Sequence, residues 1–98
     1  MKLAVLVTTP PGARATEALR SALDLSAAHE VSVAFIGDGV LSALRSLPDP
    51  HLARLRGKAR LLIELESLGA GMTHDGIEPV MRSALLAWLK SVERLVAY

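Results

Sequence analysis

The chain has 98 residues, 51% of them apolar, a formal net charge of +1 and no cysteine. That suits one domain with its own core, and it excludes a disulfide framework, thiolate metal sites and a cysteine nucleophile. Balanced charge gives no bulk attraction to nucleic acid or to an acidic membrane, and the aromatics Phe35, Trp88 and Tyr98 leave little for stacking on single strands.

The opening "MKLAVLVTTPP" is a Lys and a short apolar run without a small-residue cleavage pattern, so it reads as a buried first strand, Lys2 to Val7, and not as a signal peptide. "TTPPG" stops that strand in a loop. From Arg14 to Ala28 the period becomes helical, with Ala15, Leu19, Ala22, Leu23 and Ser26 on one stripe. "VSVAFI" (Val31 to Ile36) is a second strand covered on both faces. "GDG" follows, and Asp38 is placed to cap a helix through Val40, Leu41, Leu44 and Leu47.

Asp49 and Pro50 then begin a third helix, read from about His51 to Leu68. Leu52, Leu55, Ala59, Leu62 and Ile63 mark one face of it, and Leu61, Leu65 and Leu68 the other. The second stripe needs a cover and is the expected subunit interface. Along this helix Arg54, Arg56, Lys58 and Arg60 read as a solvated basic surface, with an anion-binding patch as the other reading, and Glu64 four residues after Arg60 is its expected partner. Gly69 closes the helix, "AGMT" reads as a short strand, and Pro79 starts a helix to about Lys90 with Met81, Leu85, Trp88 and Leu89 buried. "VERLVAY" (Val92 to Tyr98) is the last strand.

The order β-α-β-α-α-β-α-β predicts an α/β, three-layer domain over residues 1–98, with a mainly parallel sheet of four to five strands and helices on both faces. No run reaches the roughly 18 apolar residues of a membrane span, and the lack of cysteine fits a cytoplasmic protein.

In a parallel sheet the loops after the strands share one edge, where ligands bind. The expected crevice is therefore Thr8, Thr9 and Pro10, with Gly37, Asp38 and Gly39, and with Thr73, His74 and Asp75. "GDG" is neither a dinucleotide fingerprint nor a Walker loop, and an ionised Asp38 would repel phosphate. His29, His51 and His74 are far apart in sequence, and only His74 has a nearby carboxylate, so no metal or other cofactor is expected. No G-x-S-x-G elbow supports Ser-His-Asp catalysis. His74 is read as a surface turn residue, with general-base work as its other role.

Four stretches carry a resemblance: "VTTPPGARATEAL", "AFIGDGV", "LLIELESLG" and "LLAWLKSVERLVAY". Together they span nearly the whole chain, and the chain resembles the DsrE/DsrF-like family, which includes sulfur-relay subunits. The resemblance implies a small α/β domain that assembles into trimers or hexamers, sometimes from paralogous subunits. In active members of that family a cysteine after the third strand carries a persulfide to a partner. That position falls within Thr73 to Asp75 here, and none of the three is cysteine. The implied role is a non-catalytic subunit that works as a homo-oligomer (dimer, trimer or hexamer) or beside paralogous DsrE-like subunits, in sulfur relay. The other reading is a small-molecule binder or enzyme using the crevice of Thr8, Asp38 and His74.

Overall fold

A computed structural model describes residues 2–43, 50–68 and 77–98. In chain order it contains β1 (Lys2–Val7), α1 (Ala13–Leu25), β2 (Glu30–Phe35), a 3-10 helix (Gly37–Ala43), α2 (Pro50–Leu55), β3 (Arg60–Glu64), a 3-10 turn (Leu65–Ser67), β4 (Glu78–Val80), α3 (Arg82–Leu89) and β5 (Arg94–Ala97). The strands form one sheet in the order β4-β3-β2-β1-β5, and every adjacent pair runs parallel. Among the described residues no helix is long and apolar enough to cross a membrane.

Parallel strands need cover on both faces, and this sheet receives it unequally. On the first face Leu3, Val5 and Val7 of β1, Val31, Val33 and Phe35 of β2, and Leu61 and Ile63 of β3 form the main core. Ala15, Ala18, Leu19 and Ala22 of α1 pack into that core, as do Leu52 and Leu55 of α2. Three of the four α1 residues are alanines, so the helix backbone can lie close to the sheet. On the second face the buried cluster is Ala34, Leu62 and Leu85, with Leu6, Ile36, Val80 and Trp88 partly buried around it. α3 supplies that cover, and Leu85 is its one fully buried residue. The expected α/β layering is present, with five strands.

The long third helix is not. The chain leaves the helix at Leu55, turns at Gly57 with φ 83°, and enters β3 at Arg60. Lys58 and Ala59 both donate their backbone N–H to the Leu55 carbonyl at 2.9 Å, which closes the turn. "LLIE" is therefore a buried strand run, which is compatible with either period over so few residues. The proposed outer stripe dissolves with the helix. Leu61 is core at 5% exposure, Leu68 is partly buried against the same core, and Leu65 alone stands out at 47%. Likewise Arg60 pairs not with Glu64 but with Glu78 of the neighbouring strand, at 3.0 Å.

Pro79 lies in β4 and does not begin a helix, since the edge of a sheet tolerates a residue without an N–H. Met81, expected inside, is 58% exposed just before α3. The expected "AGMT" strand and the Gly69 cap fall outside the described residues, as does the chain from Leu44 to Asp49.

Gly39 fixes how the chain leaves the sheet. A Cβ built there would lie 1.7 Å from the Val7 carbonyl oxygen and 2.5 Å from its carbon. Gly37 has φ 57° but nothing within 4 Å of its Cβ position. Gly39→Ala should therefore cost about 3 kcal/mol or more, because backbone must move. Gly37→Ala should cost about 1–2 kcal/mol of left-handed strain. Urea unfolding of both variants checks this order, and equal losses would contradict the close approach.

Candidate functional site

The carboxyl edge is assembled from loops that leave the sheet in different directions. After β2 the chain passes to α2 on the first face, and after β4 it passes to α3 on the second. β3 lies between these two strands. Its carboxyl end is where the connections part, which is where a crevice opens in such sheets.

The first two expected loops do meet there. Ile36 donates its N–H to the Val7 carbonyl at 3.0 Å, and the Ser42 hydroxyl donates to the Thr9 carbonyl at 3.0 Å. Thr8 is occupied elsewhere. Its N–H (3.0 Å) and its hydroxyl (2.7 Å) both donate to the Tyr98 carbonyl, tying the end of β1 to the chain beyond β5. The Thr9 hydroxyl oxygen is buried and has no hydrogen-bond partner among the described residues. Pro10 is exposed ahead of α1, and Asp38 is exposed in the first turn of the 3-10 helix. Thr73, His74 and Asp75 lie outside the described residues.

The centre of this edge is a residue the sequence reading placed on a helix surface. Glu64, the last residue of β3, is 2% exposed. Arg82, the first residue of α3, donates to it from Nε at 3.0 Å and from Nη2 at 3.3 Å. The Ser67 hydroxyl donates to Glu64 Oε1, and the Gly37 backbone adds a further hydrogen bond. One carboxylate thus gathers donors from the β2 loop, the turn after β3 and the start of α3. Beside it Glu66 accepts the Arg82 backbone N–H at 2.7 and 3.0 Å. That places a carboxylate at the amino end of α3, where free N–H groups and the helix dipole favour it.

The Arg82 hydrogen bonds hold the Glu64 carboxyl below its ordinary range; burial pushes the other way and is outweighed. Glu64 is therefore an ionised acceptor at neutral pH and not a proton donor. The Arg82 guanidinium, raised by the same contact, is more than half exposed. Gly37 is the one residue common to the expected crevice and this cluster. Glu64, Ser67 and Arg82 were hidden by the helix reading. A Glu ending the run "LLIE" after a glycine turn is the signal that marks them.

The sequence matches no protein-family model and no curated protein. The fold does have a solved counterpart. The crystal structure of the ychN protein from E. coli superposes with a TM-score of 0.84 over 100% of this chain and 99% of that one, at 15% sequence identity. At that identity the likeness is one of fold.

Because the folded state holds the Glu64 pKa below the value of about 4.3 in an unfolded chain, its contribution to stability is complete above that value. It is lost as pH falls through the lower, folded pKa. Glu64→Gln should cost about 2 kcal/mol at neutral pH, the scale of hydrogen bonds to a charged group. The difference between wild type and variant should shrink as acid is added. A gap that stays constant from neutral pH into the acid range would show that the carboxylate charge contributes nothing.

Proposed function

We propose that this chain is a cysteine-free DsrE/DsrF-like subunit that acts by assembly, in the cytoplasm, within a sulfur relay whose chemistry other subunits perform. The observation that carries the reading is the missing thiol on a whole-chain fold of this kind. A thiolate is both the nucleophile and the carrier of a persulfide, and no residue here can become one. A hydroxyl or an imidazole at Thr73 or His74 cannot hold a stable persulfide.

The exposed apolar residues support the assembly half of the reading. Leu65, Met81, Leu86, Leu95 and Val96 are all large and substantially exposed. They cluster in chain position around α3 and β5, with Leu65 beyond the end of β3. Where such residues join into one apolar patch, a small domain gains a surface on which a further subunit can bind. The partners are copies of this chain or paralogous, cysteine-bearing subunits.

A second reading, a small-molecule site at the carboxyl edge around Thr8, Asp38 and His74, draws its support from the unpartnered Thr9 hydroxyl. Against it, the Thr8 hydroxyl is spent on Tyr98 and the Glu64 charge on Arg82.

Light scattering at micromolar concentration should give a mass above that of one chain, or a paralogous subunit should co-purify from the native cell. Leu95→Glu, a change at a residue 46% exposed, should lower that mass while leaving the thermal midpoint within a few degrees, as an exposed site costs little stability. A monomer with no co-purifying subunit would overturn the proposal. So would persulfide transfer by the purified chain alone.

A further inference from the structure

At the amino ends of the strands, opposite the edge described above, a cleft of about 570 Å³ opens between the sheet and the last turn of α3. That is the size of a small-molecule site. Register places Lys2, Ser32 and Arg60 on the sheet face that α3 covers, in step with Ala34 and Leu62. Ser32 is small and leaves the floor open. Trp88 also lines the cleft and is partly buried against the second-face cluster.

The charged lining is unequal. Lys2, Lys58 and Arg60 line it against Glu30, and a Glu93 carboxylate oxygen stands 3.4 Å from the Lys2 backbone nitrogen. Arg60 is already committed to Glu78 at 3.0 Å. Lys2 and Lys58 have no ion-pair partner among the described residues. The Lys58 backbone is also held at the rim, because after Gly57 its own N–H and that of Ala59 both donate to the Leu55 carbonyl. With Glu30 counted and Arg60 set against Glu78 the lining keeps about one positive charge, and because Glu93 lies beside Lys2 that charge is centred on Lys58. The carbonyl end of α3 points the same way as Glu30, and both disfavour a multiply charged phosphate. A single negative charge on a flat apolar body fits all of these features. The body covers the indole face, where offset stacking is favourable, and the charge takes an ammonium as its partner.

We propose that this cleft binds a planar aromatic monocarboxylate, its ring against Trp88 and its carboxylate held by Lys58 with Lys2. The cleft borders the α3 and β5 surface of the assembly reading, but the indole signal reads the ligand and light scattering reads the subunit count, so each proposal can fail without the other.

Trp88 is the only tryptophan in the chain, which gives one indole N–H signal in a heteronuclear NMR spectrum. Titration of the full chain with naphthoate should move that signal saturably. The neutral isostere naphthamide should bind about tenfold more weakly, the loss of one charge-assisted contact. Lys58→Met, at an exposed turn, should bring naphthoate down to the level of the amide, with the remaining signals in place. Lys2→Met carries the same expectation and serves if the first variant does not fold. An unmoved indole signal, equal binding of acid and amide, or full naphthoate affinity in the lysine variants would each overturn the proposal.

Discussion

A carboxylate placed at the end of a buried strand has to be met by donors where it lies. Left alone, such a charge costs several kcal/mol even after the protein relaxes. Glu64 stands in that position, and what meets it comes from three separate segments. Gly37 can reach it because β2 ends beside β3, and Arg82 because α3 begins beside β4. The Glu64 contacts therefore fix where the chain enters the second layer. α3 has one fully buried residue, too little to hold eight residues in place by apolar contact alone. The Arg82 side chain on Glu64 and the Arg82 N–H on Glu66 pin its first turn.

A helix pinned at its first turn and lightly packed along its length leaves room between its last turn and the amino ends of the strands. Trp88 touches the second-face cluster there, while Ser32 below it fills little volume. The cleft at the amino edge follows from that geometry. The first face shows the contrary case. Among the described residues α1 and α2 cover it over a continuous set of apolar side chains from β1, β2 and β3.

Much of this was legible in the residues. β1 lies where its apolar run begins and stops, because a strand covered on both sides must be apolar throughout. α1 kept its stripe, and β2 differed by one residue at each end. The ambiguity is local. "RLLIELESL" satisfies a helix and a strand equally well until Gly57 is taken as a turn. That single choice turned Arg60 and Glu64 into neighbours one helical turn apart. In the fold each finds a partner 18 positions away, Arg60 on Glu78 and Glu64 on Arg82. Pro79 failed for a similar reason, since its lack of an N–H suits the first turn of a helix and the edge of a sheet alike. Pairings across strands depend on strand order, and a sequence read alone does not contain it.

The two margins of the sheet are unlike. On one side β4 is three residues long, and Pro79 interrupts its row of donors. On the other, β5 is exposed along its length, with Leu95 and Val96 open to solvent. A margin broken by proline cannot template another strand, whereas an open one can. If a second molecule adds alongside β5 through its own β5, both outer margins of the product are β4. Growth by sheet extension therefore ends after one addition, as a closed two-fold pair and not a fibre. An open margin opposite a blunted one would make such pairing self-limiting.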